Sequence, residues 1–161
     1  MIEMELIGVR VELPTNAPIV MLRETDGDRR VLPIFIGGPE ATAIAYALEK
    51  IATPRPMTHD LMKTLLDDLG ASIDRIVVTD LSEGTFYAEL HLSRNGDTYQ
   101  VSSRPSDAIA LAVRMGTPIF AEESVLDGAG YTVGEEDEDE EEVVEEFRRF
   151  IEDVNPEDFA S

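Results

Sequence analysis

Seven side chains gathered around three helix entrances carry most of the reactive chemistry in this sequence. Glu40 follows Gly37-Gly38-Pro39, and His59-Asp60 follows Arg55-Pro56-Met57-Thr58. Arg104-Pro105-Ser106-Asp107 opens the third. Glu40 and Asp107 offer hard oxygen ligands of the kind that hold Mg²⁺ or Mn²⁺. An imidazole can both take and give a proton, so His59, with Asp60, suits general acid–base work. Arg104 would stabilise charge on an anionic group, and Arg55 and Ser106 would help bind it. Helix N-termini add unpaired N–H groups that favour anions. Each residue also has a plain role. First-turn acids are stabilised by the helix dipole, Ser106 suits a cap, and Arg104 is a natural partner for Asp107.

The elements that must position these groups are legible from periodicity. Ile7, Val9, Val11 and Leu13 alternate with polar residues, Ile19–Leu22 is a continuous apolar run, and Val31–Ile36 returns after the turn at Asp26-Gly27-Asp28. Together they predict an antiparallel meander. A helix is expected from Gly37-Gly38-Pro39, with Ala41, Ile44, Ala45 and Leu48 at i, i+3, i+4, i+7. Thr58 is expected to cap a second helix with Leu61, Met62, Leu65, Leu66 and Leu69 on one face and Gly70 at its end. Strand patterns resume at Ile73–Leu81 and at Phe86–Leu92, where His91 falls on the polar, solvated face. The Asn95-Gly96 turn leads to Tyr99–Ser102. A third helix carries Ala108, Ile109, Ala112 and Val113 and stops at Gly116-Thr117-Pro118, before a short strand at Pro118–Ala121. Strand runs around helix runs give an α+β fold, a mostly antiparallel twisted sheet with about three helices packed on it.

Composition bounds the function. The 161 residues form one domain, 1–131, followed by an acidic linker, 132–142, and a C-terminal amphipathic helix and tail, 143–161. Val143-Val144, Phe147, Phe150-Ile151 and Val154 would dock on the domain itself, a second subunit or another protein. With no cysteine, disulfides, thiolate metal sites and cysteine nucleophiles are excluded. No apolar run approaches the roughly 20 residues of a membrane span, and the acidic N-terminus lacks a signal peptide's basic region, so a cytoplasmic protein is expected. The net charge is −21, and residues 133–161 hold 14 acids against two arginines. Only two of the 13 basic residues are Lys. This balance is expected of a protein working at molar salt, and equally of an ordinary acidic protein from a GC-rich genome.

Three blocks, Gly37-Gly38-Pro39-Glu40-Ala41, Arg55–Leu61 and residues 102–121, occur in an order that resembles the bifunctional nuclease family, small domains named for activity on both DNA and RNA. The resemblance implies phosphodiester hydrolysis and nucleic acid as partner. Electrostatics opposes it, because nucleic-acid binders carry a basic footprint. Arg55, Arg104 and Arg114 would have to supply a local one. The alternative is a non-catalytic oligomeric regulatory or interaction module whose polar helix entrances brace the fold. A homo-oligomer, with a dimer favoured, is expected from an unpaired edge of the opening meander.

Overall fold

Alternation and turn chemistry produce two meanders. In the computed structural model, which describes residues 1–134, β1 (Ile2–Glu12), β2 (Ala17–Glu24) and β3 (Val31–Phe35) pair antiparallel. Their register sets Val9 opposite Val20, and Val20 opposite Ile34, on the core face. The second meander is β4 (Ser72–Ser82), β5 (Thr85–Arg94) and β6 (Asp97–Ser103). Asn95 and Gly96 both have positive φ, 51° and 84°, the two-residue hairpin that Asn-Gly favours. The three-residue β7 (Ile119–Ala121) lies between the meanders, antiparallel to β1 and parallel to β4. The seven-stranded order is β3-β2-β1-β7-β4-β5-β6. Of the acidic linker expected at 132–142 only 132–134 are described, and the C-terminal helix expected at 143–161 lies outside the described residues.

Four helices complete the described fold: α1 (Gly38–Leu48), α2 (Thr58–Asp68), α3 (Pro105–Met115) and α4 (Glu123–Ala129). Residues Ala41–Tyr46 of α1 are all buried, as are Ala108–Ala112 of α3, so these two helices are apolar nearly all round where they pack together over the sheet. Gly116 takes φ 66° and ends α3, as its position predicts. The fourth helix was not expected; at seven residues, with Val125 and Leu126 its buried pair, it is too short to show a helical period.

Two expectations for α2 are corrected. Met57, not Thr58, is the N-cap, and the Asp60 carboxylate accepts the Met57 N–H at 3.0 Å. The leucines also divide. Met62 and Leu66 pack on the core, while Leu61, Leu65 and Leu69 are 52–58% exposed. His91 is corrected too. Its side chain is only 15% exposed, with Nε2 3.2 Å from Glu89 and Nδ1 3.4 Å from Arg75.

Leu22, Leu32, Ile44, Ile76, Ile109 and Leu111 are fully buried in the main core, joined by Val125 and Leu126 of α4. One charge is buried nearby. Glu24 is 4% exposed and accepts hydrogen bonds from the Arg30 guanidinium at 2.8 Å and the Arg30 backbone N–H at 2.7 Å. Arg30 also reaches Glu123 and Asp127 of α4, tying that helix to the β2–β3 turn. The bonds from Arg30, outweighing burial, hold the Glu24 carboxyl below its ordinary value of 4.5. A carboxyl depressed on folding stabilises fully above its unfolded pKa, and that contribution fades as pH falls through the lower folded value. Thermal melts between pH 5 and pH 3 should therefore drop more steeply for the wild type than for Glu24→Gln; parallel slopes would remove Glu24 from the acid response.

Candidate active site at three helix entrances

Both α1 and α3 begin with caps that supply no side-chain acceptor. Gly37 and Arg104 are extended, at φ −75° and −70°, and Pro39 and Pro105 follow in the first turn. The chain thus enters each helix stiffly and leaves first-turn N–H groups unsatisfied by a capping side chain. Because α1 packs on α3 and α3 on α2, the three entrances lie together.

Arg104 links them. Its Nη2 donates to Glu40 Oε1 at 2.6 Å, its Nε donates to Asp107 Oδ2 at 3.0 Å, and its side chain remains 63% exposed. The hydrogen bonds it donates to Glu40 first, then to Asp107, raise its pKa and keep it charged. Asp107 Oδ1 meets His59 Nε2 at 2.9 Å. An ionised carboxylate only accepts, so the proton of that bond belongs to His59. The result is a continuous chain, Glu40–Arg104–Asp107–His59, drawn from all three helices. Glu40 Oε2 makes no hydrogen bond among the described residues and occupies the space a Cβ at position 37 would need. Glycine at 37 is what lets this carboxylate fold back over its own helix entrance.

The structure separates the other expected site residues from this chain. Asp60 is bound by Arg114, whose Nε donates to Oδ1 at 2.7 Å. Burial works against its charge, but the bonds from Arg114 and the Met57 N–H outweigh that and hold the carboxyl below its ordinary range. Geometry thus makes Asp60 a cap and an α2–α3 brace, and it takes Arg114 out of the expected basic patch. Arg55 is exposed in the α1–α2 linker and makes no side-chain hydrogen bond or ion pair among the described residues. Ser106 is 5% exposed; it is the second residue of α3 rather than its cap, and its hydroxyl has no hydrogen-bond partner among the described residues. His59 has a side chain only 6% exposed, with Nε2 committed to Asp107, so it positions that carboxylate rather than meeting solvent.

Glu40 and Asp107 do not fit a metal centre as they stand. One oxygen of Glu40 and both of Asp107 are engaged by Arg104 and His59, and the cation between the carboxylates is the guanidinium. Among the described residues no group of three His, Asp or Glu side chains is placed to hold a metal ion.

Beside the chain lies an open groove of about 360 Å³, bounded by the end of β3, the β4–β5 turn and the start of α3. Arg104 is the charged residue in its lining, and Phe35, 62% exposed, forms part of its wall. Sequence pattern concealed Phe35 inside the run Val31–Ile36. The signal was parity, since Ile34 faces the core and its neighbour must face away.

An α+β domain with this constellation at its helix entrances matches a known class: the chain belongs to the bifunctional nuclease domain family, whose match covers residues 20–134 and so every member of the cluster. It is 46% identical over 165 residues to an uncharacterized protein of Mycobacterium tuberculosis, covering 99% of this chain and 98% of the relative. It is 33% identical over 112 residues to Bifunctional nuclease 2 of Arabidopsis thaliana, covering 66% of this chain and 34% of the plant protein. Bifunctional nuclease 1 of Oryza sativa subsp. indica is 27% identical over 117 residues, covering 71% of this chain and 35% of its own length. The chain therefore spans about a third of these plant relatives.

Proposed function

We propose that this protein hydrolyses phosphodiester bonds of nucleic acid at the Glu40–Arg104–Asp107–His59 chain. The observation that carries the reading is the placement of Arg104, an exposed guanidinium held between two carboxylates beside an open groove. Arg104 binds the phosphate and stabilises the charge that grows on it during attack. Glu40, through its unbonded Oε2, accepts the proton of the attacking water as the P–O bond to the leaving oxygen breaks, and that oxygen takes up a proton from solvent. His59 fixes Asp107, and Asp107 fixes the Arg104 Nε edge. The family membership and the names of the plant relatives support the same chemistry. Absence of a helix long and apolar enough to cross a membrane, among the described residues, agrees with our placing the activity in the cytoplasm.

A second reading, a homodimeric interaction module, is favoured by one feature. Edge strand β6 has no charged residue from Thr98 to Ser103 in a chain of net charge −21, and Tyr99 and Val101 are exposed on the face they share with Leu90 and Leu92. The meander edge expected to pair is partly covered instead, since Tyr131 bridges to Val31 of β3. A two-fold axis perpendicular to the sheet would set β6 antiparallel to its copy, Tyr99 opposite Val101.

One assay separates the readings. Wild type and Arg104→Met are incubated with labelled RNA and DNA at low and molar salt, with EDTA, Mg²⁺ or Mn²⁺. Cleavage in EDTA, lowered at least about 100-fold in the variant, is the expected result. Cleavage that needs the metal would overturn the metal-free roles given to Glu40 and Arg104. No wild-type cleavage under any condition would leave the interaction module.

A further inference from the structure

The groove beside Arg104 has features that a bare phosphate site does not need. We infer that it is a nucleotide subsite, in which Phe35 stacks one base while the adjoining phosphate sits on Ser106 and the first turn of α3; this inference rests on the nucleic-acid reading above. Phe35 is 62% exposed at the end of a strand whose Val31, Leu32 and Ile34 are at most 3% exposed, so its ring is presented to solvent while its neighbours are not. The β4–β5 turn also lines the groove, where Gly84 has φ 78° and leads into Thr85 and Phe86. An aromatic wall beside a guanidinium is the pairing used to hold bases next to their phosphates, and stacking tolerates any base because each has a π-face.

Ser106 is the independent observation. Its residue is 5% exposed and lines the groove, yet its hydroxyl has no hydrogen-bond partner among the described residues. The hydroxyl oxygen itself is not fully buried, so it reaches the groove and can donate to a ligand's acceptor. That acceptor also meets the first-turn N–H groups of Ser106 and Asp107, which the Arg104 cap leaves without a side-chain partner. No carboxylate lines the groove, although the chain is strongly acidic. A volume of about 360 Å³ is enough to seat one nucleotide unit.

The test uses the full chain in EDTA, titrated by calorimetry with adenosine 5′-monophosphate, adenosine or inorganic phosphate. Phe35→Ala should weaken adenosine monophosphate and adenosine by about 10-fold and leave phosphate unchanged, with Phe35→Tyr restoring the affinity. Ser106→Ala should weaken the monophosphate and phosphate and spare adenosine. Tyr99→Ala, an exposed aromatic on β6, serves as the control and should change none of the three. In the cleavage assay, Phe35→Ala should raise KM by about 10-fold with kcat within about two-fold. Cleavage with KM unchanged in Phe35→Ala would overturn the subsite and leave the nuclease reading standing. Phe35-dependent binding of the monophosphate without cleavage would keep the subsite and remove the nuclease. No binding of the monophosphate at 10 mM, or binding indifferent to Phe35, would overturn the subsite.

Discussion

Glu40→Gln is expected to slow phosphodiester cleavage by about 10²–10⁴-fold while the protein stays folded. The amide keeps the shape of the side chain and one acceptor toward Arg104, so the tie across the entrances of α1 and α3 survives in geometry. It cannot take a proton from water. The carboxylate being lost has a side chain 14% exposed, with one oxygen held at 2.6 Å by Arg104 and the other unbonded, so neither misfolding nor free rotation would explain a collapse in rate. Asp60→Asn makes the comparison sharp. Asp60 is also a first-turn acid paired with an arginine, but it braces Arg114, so its loss should lower the melting temperature and leave kcat close to wild type. Single-turnover rates for both variants, beside their thermal melts, would decide. Equal loss in both would mean the helix entrances act only as braces.

Ile109→Ala should destabilise the fold by about 2–5 kcal/mol, the largest single effect expected on stability. Ile109 is fully buried in α3, and the removed atoms leave a void that packed neighbours cannot collapse to fill. Because α3 carries Arg104 and Asp107, the remaining folded protein should also cleave more slowly. Urea unfolding would show a lower midpoint at unchanged slope. Leu65→Ala removes a similar volume from an exposed position on α2 and should cost less than about 1 kcal/mol. A cost for Ile109→Ala no larger than that of Leu65→Ala would contradict the core as described.

The parts of this fold that follow from local rules were legible in the sequence. Asn95-Gly96 requires positive φ twice, Gly116 accepts a left-handed stop, and the alternation from Ile7 to Leu13 belongs to a half-buried strand. What depended on distant partners was not. Leu61, Leu65 and Leu69 have helical spacing but lie on the side of α2 away from the core. The placement of β7 between β1 and β4 leaves no trace in residues 118–121 themselves. The candidate site shows the same limit. Asp60 and Asp107 are alike by sequence, first-turn acids three residues past their caps. They part only because Arg114 reaches one and Arg104 with His59 reaches the other.

The central position of β7 bears on how the chain comes off the ribosome. The first meander and α1 emerge early, and the second meander can pair with itself, but the two share no ladder until Ile119–Ala121 arrive to join β1 to β4. Glu40 rides on α1 and Arg104 on α3, on opposite sides of that seam. A nascent chain stalled before residue 119 therefore holds every cluster residue and no clasp to unite the two halves of the sheet. A product ended before residue 119 would lack the ladder that joins the two halves of the sheet beneath Glu40 and Arg104, and would be left with the packing of α1 on α3 to hold them together.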